Sequence, residues 1–336
     1  MRLKIGLLGF FIASLFLFLG WTNQIEASGS EYTVRAILAK NQNPTISSYF
    51  DVTVTLGDEQ IFTIVIENNT TEEKEYKIEP GTAVTNSNGV IEYSKKNSKK
   101  DTTLINNFED LISDAQTVKL AANEKKQVDF VFEVPNEKFD GILLGGFVVT
   151  PIEKKNSNQP IINVYTHTIA AVIRESSAPV EPELKLNKIK VGQINYHNVI
   201  QSEIQNKKPM IMSKLKIESV ITKKGESKVL YEESKENFKM APNSTLNYPI
   251  SIKEKFTAGD YTVHINASNQ DENWKFTKNF TINEEKKQEL NAKTIDSDNH
   301  YNYVYMILAL AAFILLVIGI IVYMKKKEKG HSERRR

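Results

Sequence analysis

The stretch QVDFVFEV, Gln127 to Val134, decides the fold, because it sets Val128, Phe130, Phe132 and Val134 on alternate positions. Successive side chains of a strand point to opposite faces, so these four apolar groups share one side of a sheet. A helix would scatter them around its circumference. Working outward, the same period of two recurs in Tyr32 to Leu38, Phe50 to Leu56 and Gln60 to Glu67. Downstream, Ile142 to Val149 and Ile161 to Ile173 are nearly continuous apolar runs, as expected of strands inside a sandwich. Leu104, Phe108, Leu111 and Ile112 have helical spacing and predict a short helix between strands.

The pattern then breaks at Glu175 to Pro182, where Pro179 and Pro182 favour an extended, semi-rigid connection. Strand patterns resume at Leu184 to Val191, Val199 to Gln205, Leu215 to Thr222, Val229 to Tyr231, Leu246 to Ile252, Tyr261 to Ala267 and Lys275 to Ile282. Lys224-Gly225, Pro242-Asn243 and Gly259-Asp260 supply the turns between them. The expected fold is all-β: two immunoglobulin-like β-sandwiches in tandem, over residues 28–174 and 183–284, joined by a linker at 175–182. A charged stretch at 285–302 is expected to form a stalk.

Two apolar runs bracket this β region. Ile5 to Gly20 follows Arg2 and Lys4 and leads to small residues near Ala27, so residues 1–27 are expected to be a secretory signal peptide. Val304 to Met324 carries no charge and is long enough to cross a hydrocarbon layer of ~30 Å as a helix. A transmembrane helix is expected at 303–324. Tyr301, Tyr303 and Tyr305 stand at one end and Lys325 to Lys327 at the other. By the positive-inside rule the basic tail, 325–336, lies in the cytoplasm, and the sandwiches are exported. The stretch before the helix, NAKTIDSDNHYNY, lacks the Pro and Gly of an LPxTG-like sorting motif, so the expected location is the cell membrane, single-pass.

Residues 28–324 hold 34 basic and 38 acidic side chains, a mildly acidic balance that gives no electrostatic case for nucleic-acid binding. Cysteine is absent, which excludes disulfides, a lipidated cysteine, a thiol nucleophile and thiolate metal sites. No GxSxG, HExxH or Walker motif occurs. His167 has no second ligand at metal spacing, and Glu133 and Asp140 flank Pro135 among many other acids. No catalytic residue, metal or cofactor is expected, and the chain is expected not to be an enzyme. Asp140, Gly141, Gly145 and Gly146 form the densest glycine cluster and are expected to make a turn and a bulge where another backbone comes close.

Several long segments carry a resemblance to a known family. NQNPTISSYFDVTV (Asn41 to Val54), TNSNGVIEY (Thr85 to Tyr93) and FDGILLGGFVV (Phe139 to Val149) resemble the first domain of WxL-interacting proteins, surface proteins of Gram-positive bacteria. GQINYHNVIQSEIQN (Gly192 to Asn206), MAPNSTLNYPISI (Met240 to Ile252) and AGDYTVHINA with NWKFTKNFTI (Ala258 to Ile282) are similar to the second. The order of leader, two domains, one span and basic tail matches as well. The resemblance implies a peptidoglycan-binding first domain and a second domain that binds host extracellular ligands, with secreted WxL-domain proteins as further partners. Adhesion and scaffolding is the expected role. The alternatives from other classes are a carbohydrate-active enzyme of the wall and a membrane receptor signalling through a cytoplasmic partner. Amides and tyrosines suit sugar hydroxyls and ring faces, so Asn41, Gln42, Asn43 and Tyr49 in one loop, with Asn86, Asn88 and Tyr93 in another, are the candidate glycan-binding residues. Trp274, Phe276 and Phe280 alternate along one strand and are the candidate partner-binding residues, either as core or as anchors for a chain docked on a strand edge.

Overall fold

A computed structural model describes residues 30–93, 100–153, 163–295 and 307–319. The alternating stretch around Phe130 is β8 (Lys125–Glu133), which pairs antiparallel with β3 (Glu59–Asn68), itself paired with β1 (Tyr32–Ile37). Across the core stands a five-stranded sheet in the order β2 (Phe50–Thr53), β10 (His167–Arg174), β9 (Leu143–Pro151), β4 (Lys74–Thr82) and β7 (Gln116–Leu120). Within it β2 and β10 run parallel, whereas its other pairs are antiparallel. Phe50, Phe62, Phe130, Phe132 and Phe147 are fully buried between the sheets, with Phe50 and Phe62 centroids 4.8 Å apart and Phe130 and Phe147 5.0 Å apart. The tilted ring contacts favour this packing beyond the area buried.

The second sandwich places β11 (Leu184–Ile194), β12 (His197–Asn206) and β15 (Ser244–Ser251) against β14 (Val229–Met240), β13 (Met212–Lys223), β16 (Gly259–Ser268) and β17 (Asn273–Ile282). First, second and fifth strands form one sheet, and fourth, third, sixth and seventh the other, which is an immunoglobulin-like arrangement. Tyr248 crosses its core, and its hydroxyl donates to the Ile217 carbonyl at 3.2 Å.

Several expectations are corrected in detail. The apolar run at Ile142 to Val149 is apolar throughout because β9 is covered twice: Leu143, Phe147 and Val149 face the core, while Leu144 packs with Val172 and Ala241 against the second domain. The strand expected over Ile161 to Ile173 begins at His167; residues 163–166 have no regular structure, and 161–162 lie outside the described residues. The helix expected at Leu104 to Ile112 is a single turn, Phe108–Leu111, because Phe108 plugs the core and Ile112 bridges to Phe132. The stalk expected at 285–302 is not a free extension through its first part. Helix Glu284–Asn291 buries Leu290, and the Asn291 side chain bonds reciprocally with the Phe256 backbone at 2.8 and 2.9 Å. Asn283 caps the helix by accepting from the Lys286 amide at 2.7 Å, as an N-cap amide does.

The expected signal peptide and basic tail lie outside the described residues. Of the expected span, residues 307–319 are described and helical, with their large apolar side chains exposed. Among the described residues no helix is long and apolar enough to cross a membrane.

Candidate functional site

The loop between β1 and β2 carries the first group of candidate glycan residues. Gln42 Nε2 donates to the Ile46 and Tyr49 carbonyls at 3.0 and 3.1 Å, and its Oε1 accepts from the Asp51 amide at 3.0 Å. Asn43 Nδ2 donates to Asp51 at 3.0 Å, and its Oδ1 accepts from the Thr45 amide and hydroxyl. Asn41 Nδ2 donates to the Thr53 carbonyl and Gln60 Oε1, both at 2.8 Å. These amides hold the loop's own backbone, the alternative use that short polar side chains always have. Arg174 fixes the same loop through Asp51 at 2.6 Å.

The second group lies on the hairpin of β5 (Val84–Thr85) and β6 (Ile91–Glu92). Asn86 Oδ1 accepts from the Asn88 and Val90 amides, an Asx-type turn. One side of the tip, at Gly89, is covered by the second domain, while Asn88 and Val90 are exposed. Gly89 is buried at φ +69, and its carbonyl accepts from the Lys239 amide at 2.7 Å; a Cβ there would stand 2.3 Å from the Phe238 ring. Tyr49 and Tyr93 are brought together on one small apolar cluster with Leu144 and Ala241. Burial pushes the Tyr93 phenol up, and Tyr49 adds to the shift. Of the seven candidates, Asn41 and Asn88 are exposed.

The two ends of the glycine cluster stand in different surroundings. At Gly141, φ +64, a Cβ would lie 2.1 Å from the Pro209 carbonyl, which accepts from the Ile142 amide at 2.8 Å. The approaching backbone belongs to the second domain. Asp140 beside it is exposed. No bulge occurs at Gly145 and Gly146, where β9 keeps continuous register with β10 and β4. These two positions are small because aromatic rings cover them, Phe108 over Gly145 and Tyr93 over Gly146.

A polar seam between the domains was missed from sequence. Thr85 and Ser244 hydroxyls lie 2.6 Å apart, and Thr85 Oγ1 accepts from the Ala241 amide at 2.9 Å. Asp101 accepts from Gln205 Nε2 at 2.6 Å and from the Thr245 hydroxyl at 2.8 Å. Asn243 Nδ2 donates to Thr103 at 3.1 Å. The only hint in the sequence is the run of small polar side chains at Asp101-Thr-Thr103, with Thr82 and Thr85 spaced around two apolar residues.

In the second domain Trp274, Phe276 and Phe280 are half-buried on one face of β17 and pack against that domain's core. Phe280 stacks on Tyr261 at 5.5 Å. β17 is the edge of its sheet. Beside it, Phe276, Lys275, His264, Glu218, Glu232 and Glu233 contribute to an open groove of about 1070 Å³. Lys216 at 2.5 Å holds the Glu218 carboxyl below the usual carboxylate range. Among the described residues no group of three His, Asp or Glu side chains could hold a metal ion.

Two family models match the chain. "WxL Interacting Protein, peptidoglycan binding domain" covers residues 32–151, and "WxL Interacting Protein, host binding domain" covers residues 156–292. The second match includes β10, which is hydrogen-bonded into the first sandwich. No curated protein matches the chain. Among solved structures, the E. coli chaperone DraB is 14% identical over 75% of this chain and 97% of its own, with a TM-score of 0.28. A chaperone–tip adhesin complex of CFA/I fimbriae biogenesis is 12% identical over 70% and 94%, with a TM-score of 0.27. A PapD-like domain of human CEP192 is 11% identical over 47% and 94%, with a TM-score of 0.26. Such scores are too low to bear on what this chain does. With a peptidoglycan-binding match on its first part and a host-binding match on its second, the chain belongs to the WxL-interacting protein family.

Proposed function

We propose that this protein is a non-enzymatic binding and scaffold protein of the Gram-positive cell surface. It attaches to peptidoglycan and presents its second domain to WxL-domain proteins and host extracellular ligands. The observation that carries the reading is the tandem of one peptidoglycan-binding and one host-binding family on a single chain. The uncharged run at 303–324 and the lysines behind it support a single-pass anchor, with the sandwiches on the wall side and the tail in the cytoplasm. Half-exposed Trp274 and Phe276 on an edge strand support docking of a secreted WxL-domain protein by strand addition, since unpaired edge groups and adjacent aromatic pockets suit an extended partner.

Incubation of the full-length chain with purified peptidoglycan tests attachment and rules between binding and catalysis. Co-sedimentation without release of soluble muropeptides is the expected result; release at enzyme rates would overturn the non-enzymatic reading. For the partner, a purified WxL-domain protein is expected to be retained by wild type and lost on Trp274→Ala, with unchanged circular dichroism. Equal retention by the variant would move the partner site away from β17.

A further inference from the structure

We propose that the cleft between the two sandwiches is a binding site for an anionic saccharide, a conclusion that rests on the wall-attachment reading above. The cleft encloses about 740 Å³, within the range of sites that take small ligands or one unit of a polymer. The residues facing it include five lysines, Lys100, Lys185, Lys188, Lys190 and Lys278, against three carboxylates, Asp101, Glu109 and Glu203. This excess of positive charge stands out in a stretch, 28–324, with more acids than bases.

Two of the lysines are in ion pairs, Lys100 with Asp110 and Lys190 with Glu203, the latter at 2.5 Å. Asp101 and Glu109 are hydrogen-bonded to neutral groups: Asp101 is bonded to Gln205 and Thr245, and Glu109 accepts from the Thr82 amide at 3.3 Å. Lys278 is bonded to a neutral group, the Asn187 carbonyl. Among the described residues Lys185, Lys188 and Lys278 form no ion pair, so the cleft offers three ammonium groups outside any ion pair against two such carboxylates, Asp101 and Glu109.

A backbone irregularity creates this array. Register between β11 and β12 shifts between Leu186 and Ile189, so two residues, Asn187 and Lys188, are inserted opposite one. Without that bulge, Lys188 would follow Leu184 and Leu186 toward the core. With it, Ile189 and Val191 take the inward positions, and Lys185, Lys188 and Lys190 stand out from the strand. Bulges re-aim side chains in this way.

The lining also selects the class of ligand. It contains no aromatic ring and few apolar groups, so neither ring stacking nor an apolar peptide side chain is accommodated. Asn187, Asn247, Thr102, Ser244 and Thr245 supply amides and hydroxyls suited to sugar hydroxyl and acetamido groups. Lysine recognises carboxylate or phosphate as a point charge. A polyhydroxylated chain bearing either anion fits both sets.

The full-length chain in mild detergent is titrated with two probes: sacculi stripped of phosphate polymers by hydrofluoric acid, and the same sacculi unstripped. The variant is Lys185→Glu with Lys188→Glu, and the control is Lys119→Glu with Lys126→Glu on exposed positions of β7 and β8. Wild type and control are expected to bind with an affinity that falls as salt rises, and the cleft variant on the order of tenfold more weakly. An unchanged unfolding midpoint shows that the variant is folded. Weakening on both probes assigns a carboxylate; weakening confined to unstripped sacculi assigns phosphate. A cleft variant that binds both like wild type overturns the cleft while leaving wall attachment standing. Failure of wild type on both overturns wall attachment and the cleft with it, and retention of a polyglutamate peptide alone would replace the saccharide by an acidic protein.

Discussion

A Cβ built on Gly145 would stand 2.2 Å from the Phe108 ring, inside a core of stacked phenylalanines with no room to yield. Gly145→Ala is therefore expected to destabilise the protein by about 1–3 kcal/mol, the usual cost of overpacking, as measured by denaturant unfolding. Gly192→Ala, where nothing lies within 4 Å, is expected to be near neutral in the same assay. A second residue-scale consequence concerns alkaline pH. Tyr32 is buried and its hydroxyl donates to the Val149 and Tyr165 carbonyls at 3.0 and 2.8 Å, so desolvation raises its phenol from 10.0 to about 12. The folded state prefers the protonated form, so this contribution is complete below pH 10 and is lost as pH rises toward 12. Unfolding free energy is expected to fall more steeply with pH across that window in wild type than in Tyr32→Phe. Equal slopes would show that Tyr32 is not the group responsible. None of this was legible in the sequence, where Gly145 looked like a bulge and Tyr32 like an ordinary strand residue.

Elements were read better than residues. The strand at Gln127 to Val134 was legible because its alternation is strong, and β12, β13, β15, β16 and β17 for the same reason. β4 was not, because KEYKIEPGT carries Pro80 and Gly81, which ordinarily argue against a central strand. The sheet resolves the conflict: pairing with β7 stops at Ile78, so Pro80 has a strand partner on one side only. Candidate site loops were legible as loops but not as sites, since composition cannot say whether Gln42 and Asn43 face a ligand or their own backbone. Charge at Lys185, Lys188 and Lys190 was visible, but its common direction depends on the bulge. The helix Glu284–Asn291 was missed because its sequence is almost wholly polar, with one buried apolar residue, Leu290. Leu290→Ala is expected to cost about 2–3 kcal/mol and to speed amide exchange throughout that helix. An unperturbed exchange pattern would show the helix to be held by its cap and Asn291 alone.

On the scale of the whole molecule, the seam joins two cores that each satisfy their own sheets. Asp101 links the first domain to both Gln205 and Thr245, and Thr85 meets Ser244 and the Ala241 amide. Calorimetry is expected to show one cooperative transition for wild type and two partly separated ones for Asp101→Ala with Thr85→Val, because coupling depends on a few buried polar contacts. A single unchanged transition in the double variant would place the coupling in the apolar contacts of Leu144, Val172 and Ala241 instead. The parallel pairing of β2 with β10 has a mechanical consequence. The chain leaves the first sandwich through β10, so a pull transmitted along the 175–182 connection acts on that strand lengthwise. β10 is flanked by β2 on one side and β9 on the other. Its hydrogen bonds to β9 run perpendicular to the strand and those to β2 cross it on a slant, so neither set lies along the pull. They are therefore loaded together in shear and cannot be unzipped one after another, so the first domain is expected to resist tension applied through its connection to the second.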